Sequence, residues 1–349
     1  MRTSWFFRLP RAVGILSSFR HLEESAFFSQ IPLKRSLAHK LRSPTMAQKA
    51  SNPLPEFKSE ESRARYMAAY NAALADWPVP YQAFDISTRL GSTHVIASGS
   101  PEAPPLVLLH SFAASAMAWR LNIAGLSAHF RTFAVDVIGQ PGKSLALQRP
   151  RNRQQLADWM AQVLDGLGVQ RSSIVGCSYG GFLALNQASL TPERVDRIVL
   201  ISPVGGFASQ YWKLTYLLRV KQPVLKLVHR FIGSRRRPKP ADSQQKQAAS
   251  WIPPLDAKWG ALMAMTMFER PKISVTKAPA FSGAELRAIR APTLLLIGEQ
   301  ERLYQPQAAL KQAQARMPGL HVALVPNADH IAAMAQPDAV NQRIIQFLQ

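Results

Sequence analysis

Ser173-Ile174-Val175-Gly176-Cys177-Ser178-Tyr179-Gly180-Gly181 is the stretch whose reading decides the fold. Its first half is an apolar run, and the residues on its far side, Gly181–Ser189, have the apolar spacing of a helix. The pattern predicts a buried strand that turns sharply into a helix, with one serine at the corner. So tight a turn strains the serine and brings two backbones together, and Gly176, Gly180 and Gly181 supply the small neighbours that it needs. The N-terminal amides of the helix then point at the serine, where they favour a developing negative charge. The bland alternative is an ordinary glycine-rich turn, and the strand before and helix after argue against it.

Similar apolar runs recur at Pro105–Leu109, Thr132–Val135, Arg197–Ile201, Thr293–Ile297 and His321–Val325. Helical patterns separate them at Arg153–Leu167, Pro306–Met317 and Pro337–Phe347, and a further helix over Phe57–Trp77 precedes two short strands at Tyr81–Thr88 and Ser92–Ala97. Strands alternating with helices predict a mostly parallel central sheet flanked by helices on both faces, with functional residues beyond the carboxyl ends of the strands. The alternation breaks over 205–280, which reads as separate helical patterns around an exposed loop, Ser234–Pro240. The expected organisation is a basic extension over 1–45, a first core part over 46–204, an inserted helical cap over 205–280 and a second core part over 281–349.

Within 349 residues, 47% are hydrophobic and 18% charged, the balance of a globular chain that buries a large core. Cys177 is the single cysteine, so the chain forms no internal disulfide and builds no cysteine-based zinc site. No apolar run reaches the roughly 20 residues of a membrane-spanning helix. The formal charge of +21 is uneven: residues 205–280 hold fourteen Lys and Arg against three Asp and Glu, residues 1–45 hold eight against two, and the rest is close to balance. Such an excess attracts anionic substrates or an anionic membrane surface, or is simply a solvated face. Nucleic acid is not an expected partner, because Arg235-Arg236-Arg237 lacks interleaved aromatics and belongs to no binding module. Residues 1–45 read either as an Arg-rich transit peptide or as an over-extended reading frame with the true start at Met46, and the second reading goes with a cytoplasmic protein.

A serine hydroxyl is a poor nucleophile until a base removes its proton and a third group orients that base. His330, in Asn327-Ala328-Asp329-His330 after the last buried run, is the expected base. The acid is expected after the preceding run, in Gly298-Glu299-Gln300-Glu301. Glu301 is favoured, since three residues past the glycine the chain can turn a carboxylate back toward the histidine, with Glu299 as its competitor. Ser202-Pro203-Val204-Gly205-Gly206, the other place for an acid, has no carboxylate. Acyl-transfer chemistry also needs two amides on the oxyanion, expected from Tyr179 and from Phe112 in the turn His110-Ser111-Phe112. His110 at that strand end is expected to shape the turn rather than act as a base.

In order along the chain, His110-Ser111-Phe112 with Ser115 and Trp119, the loop Asp136-Val137-Ile138-Gly139-Gln140-Pro141-Gly142-Lys143-Ser144, the serine turn, the Glu301 turn and His330 resemble the α/β-hydrolase superfamily. The resemblance runs from about Pro80 to Gln349, and is greatest to bacterial carboxylesterase-type serine hydrolases with a helical cap. It implies the α/β-hydrolase fold, a Ser178-His330-Glu301 triad, an acyl-enzyme, a small-molecule acyl substrate, and neither metal nor organic cofactor. Two positions depart from the family pattern: Ser111 stands for the usual glycine of the oxyanion turn, and Glu301 stands where Asp is commoner. Serine rather than Asp at 178 argues against a dehalogenase. The other function classes are a hydrolase of amide or carbon–carbon bonds and a non-catalytic binding scaffold, which would have a broken triad.

Overall fold

The computed structural model describes residues 54, 56–205, 207, 257–269 and 276–349. The expected extension, most of the expected cap and the Ser234–Pro240 loop lie outside the described residues.

The strands are β1 (Tyr81–Thr88), β2 (Gly91–Ser98), β3 (Pro105–Leu109), β4 (Arg131–Val135), β5 (Leu145–Ala146), β6 (Ser172–Cys177), β7 (Val195–Ile201), β8 (Thr293–Gly298) and β9 (His321–Val325). They form a sheet in the order β1-β2-β4-β3-β6-β7-β8-β9, with β5 beside β2. β2 is antiparallel to β1, β4 and β5, and from β4 to β9 every neighbour is parallel. The apolar runs predict this: β6 and β8 are buried along their whole length, as strands covered on both faces must be.

The twofold side-chain alternation of a strand divides the core in two. Val107, Leu109, Ile174, Ile198, Leu200, Leu295 and Ile297 face one cluster, shared with α3 (Arg153–Gly166) and α4 (Tyr179–Leu190). Leu106, Leu108, Val175, Val199, Ile201, Leu294 and Leu296 face the other, with α1 (Glu60–Leu74), α2 (Ile123–Ser127) and α5 (Ala257–Phe268). Among the described residues, the remaining α-helices are α6 (Gly283–Ala288) and α7 (Pro306–Arg316) on the first face, and α8 (Ala332–Ala335) and α9 (Pro337–Leu348) on the second.

α1 is shorter than its sequence pattern because Ser59 caps it, accepting the Ser62 N–H at 3.2 Å. α4 is longer than its pattern and starts at Tyr179, since the helix can begin on glycines that the turn requires. α5, inside the expected cap, packs on α1, where Arg65 pairs with Glu269 at 3.0 Å and Lys258 with Asp76 at 2.8 Å. Among the described residues, no helix is long and apolar enough to cross a membrane.

Candidate active site

β6 delivers Ser178 in a conformation few residues adopt, with φ 52° and ψ −108°. Such backbone costs about 1–3 kcal/mol and persists only where its surroundings enforce it. The enforcement is visible: the Ser178 N–H donates to Ile201 O at 2.9 Å, and Ser178 O accepts from Gly181 at 3.0 Å and Val204 at 3.2 Å. The glycines are required sterically, because a Cβ on Gly180 would lie 2.1 Å from Leu109 O and one on Gly176 would lie 2.2 Å from Gly180 O.

Ser178 Oγ lies 2.9 Å from His330 Nε2, and His330 Nδ1 lies 2.7 Å from Glu301 Oε2. The loops carrying the last two are clamped together: the Glu299 N–H donates to Val325 O at 3.0 Å and the Gln300 N–H to Ala328 O at 2.8 Å. A tight turn, Glu301 N–H to Gly298 O at 3.1 Å, then swings Glu301 inward and leaves Glu299 exposed. Of the two candidate acids, Glu301 therefore meets the histidine. The extra methylene of Glu over Asp is accommodated without lengthening that hydrogen bond.

Glu301 is 7% exposed, and its other oxygen accepts the N–H groups of Arg302 at 2.8 Å and Leu303 at 2.9 Å. Burial pushes its pKa up, but the hydrogen bond and charge of His330 and the two amides outweigh that, holding the carboxyl below the ordinary glutamate value. Cys177, next to the serine, behaves oppositely. Burial, with Glu301 adding, pushes its thiol up to about 12, so it stays protonated and is no rival nucleophile.

Tyr179 is the first residue of α4, and its hydroxyl donates to Thr276 O at 3.1 Å. Phe112 lies in the turn after β3, and its N–H has no acceptor among the described residues. His110 shapes that turn as expected: Nδ1 donates to Ser111 O at 2.8 Å and Nε2 accepts the Val137 N–H at 3.0 Å. Ser111 in place of glycine does no harm, because the left-handed residue is Ala113, with φ 59°.

Asp136 is a hub whose role the sequence alone does not disclose. It is 0% exposed and accepts the Ala116 N–H at 2.7 Å, the Lys143 N–H at 2.7 Å and the Tyr70 hydroxyl at 3.0 Å. Gly142 closes the loop, and a Cβ there would lie 2.4 Å from Asp136 Cγ. Among the described residues, no group of three His, Cys, Asp or Glu stands ready to hold a metal ion.

Residues 106–343 match the alpha/beta hydrolase family, and the chain belongs to it. It is 36% identical over 303 residues to the carboxylesterase YbfK of Bacillus subtilis, an alignment covering 84% of this chain and 96% of that one. The crystal structure of that carboxylesterase, also called CesB, superposes with a TM-score of 0.68 at 33% identity, covering 82% of this chain and 98% of the other. The naproxen esterase of Bacillus subtilis also superposes with a TM-score of 0.68 at 33% identity, covering 83% and 99%.

Proposed function

We propose that this protein is a serine hydrolase that cleaves carboxylic esters through an acyl-enzyme. The observation that carries this is the hydrogen-bonded series Ser178, His330, Glu301 at a strained strand-to-helix turn. The similarity to carboxylesterases over almost their whole length supports the ester as the bond cleaved.

His330 Nε2 takes the Ser178 proton as Oγ bonds to the carbonyl carbon, and the electron pair of the carbonyl moves onto its oxygen. The amides of Phe112 and Tyr179 stabilise that oxyanion. When the tetrahedral adduct collapses, the alkoxide leaves with the proton from His330. Water, deprotonated by the same nitrogen, then attacks the acyl-enzyme and releases acid and free Ser178. Glu301 accepts the hydrogen bond from Nδ1–H throughout, which fixes the tautomer with Nε2 toward the serine and stabilises the imidazolium. The substrate is a small-molecule ester, and the basic excess of residues 205–280 favours an anionic one.

The test is labelling with a fluorophosphonate probe together with turnover of p-nitrophenyl esters of increasing chain length. Wild type should label and turn over, and Ser178→Ala should fold, take no label and lose turnover. Unchanged esterase activity in Ser178→Ala, or a folded wild type that does neither, overturns the proposal.

A further inference from the structure

The turn that presents Phe112 is not self-supporting. Ala113 lies in the left-handed region at φ 59°, where a residue with a Cβ is strained by about 1–2 kcal/mol. Inside the turn the bonds are the Ala114 N–H to Ser111 O at 3.2 Å and His110 Nδ1 to the same oxygen at 2.8 Å, and none of them reaches the Ala113 or Phe112 N–H. Its support comes from the loop after β4. The Ala113 N–H donates to Gln140 Oε1 at 2.8 Å, and the Gln140 N–H in turn donates to Val137 O at 3.0 Å. The Val137 N–H returns to His110 Nε2 at 3.0 Å. These bonds close a ring, His110 to Val137 to Gln140 to Ala113, that grips Ser111 and Phe112 from both ends.

Gln140 is 0% exposed. A backbone N–H only donates, so the carboxamide oxygen must face Ala113 and Nε2 points elsewhere. That nitrogen is buried and has no acceptor among the described residues. Leaving a buried donor unsatisfied costs about 1–3 kcal/mol, and the bond that Oε1 makes to the Ala113 N–H is set against that cost.

We propose that Gln140 is a positioning residue for the oxyanion hole: its Oε1, through the Ala113 amide, aims the Phe112 N–H at the developing oxyanion. This rests on the ester-hydrolase reading. The group touches no substrate and acts through the turn. A misplaced donor loses most of its effect, because transition-state stabilisation depends on pre-set geometry.

The experiment uses the full chain with Gln140→Met, which keeps the volume and removes both the acceptor and the unpartnered donor. With a p-nitrophenyl ester, kcat should fall about tenfold to a hundredfold while KM stays within about twofold. Affinity for a boronic acid, whose adduct with the serine places an oxygen in the oxyanion hole, should fall in the same ratio. Loss of kcat and of boronate affinity together, at unchanged KM and per folded molecule, is a separation that a merely structural bond would not give. Should the Met variant fail to fold, Gln140→Asn, whose carboxamide stops one methylene short of Ala113, carries the same expectations. A kcat within about twofold of wild type, or a loss of kcat that leaves boronate affinity unchanged, overturns the positioning role and leaves the ester-hydrolase reading standing. A wild type that turns over no ester brings down both.

Discussion

Glu301 and Asp136 are two buried acids set just past strand ends, of β8 and β4, and each accepts two backbone N–H groups. They differ in the third partner. Glu301 faces an imidazole, the side chain that trades protons near neutral pH, with the serine beyond it. Asp136 faces Tyr70, whose hydroxyl is pushed far up by burial and by the Asp136 charge, so it never releases its proton. Burial and amide bonds make a carboxylate well held in both places. Only a proton-exchanging neighbour makes it part of a reaction.

The largest test of this contrast is Glu301→Gln. The new amide must donate to Nδ1, which turns the imidazole to the wrong tautomer, and kcat should fall about 10³–10⁴-fold with the fold retained by circular dichroism. A variant within tenfold of wild type would erase the distinction between the acids. Asp136→Asn should act on the other axis. Its oxygen can stay on the Ala116 N–H, but its NH2 must then meet the Lys143 N–H, donor against donor. Chemical denaturation should show a loss of about 1–3 kcal/mol, with kcat per folded molecule within about threefold. A large kcat loss at full stability would make Asp136 a functional acid after all.

The smallest effect is one of pH, because burial and hydrogen bonding pull Glu301 in opposite directions. With the folded pKa below the unfolded one, Glu301 contributes stability above the unfolded value and loses it as pH falls through the folded value. The stability gap between wild type and Glu301→Gln should therefore shrink on the acid side of the ordinary carboxylate range. A gap that widens there contradicts the sign.

The sheet was legible because each strand buried on both faces writes itself as an apolar run, as β6 and β8 do. The strained turn at Ser178 was legible for a local reason, since the glycines that it demands lie within three residues of the serine in sequence. The choice between Glu299 and Glu301 was only half legible. It is decided by bonds from 299 and 300 to β9 and the loop after it, which a spacing argument does not contain. Asp136 and Gln140 were legible as members of the loop 136–144 that resembles the family's, but not as anchors of other elements. Their partners, Tyr70, Ala116 and Ala113, lie on other elements and meet them only when the sheet assembles.

The serine comes from the strand ahead of residues 208–256, and its base and acid come from strands behind them. The halves are joined by the β7–β8 ladder, where Leu200 lies opposite Leu295. The bonded series Ser178, His330, Glu301 is therefore a readout of completed assembly. On the proposed mechanism, neither half alone holds Ser178, His330 and Glu301 together, so the serine meets its base only once β7 and β8 pair.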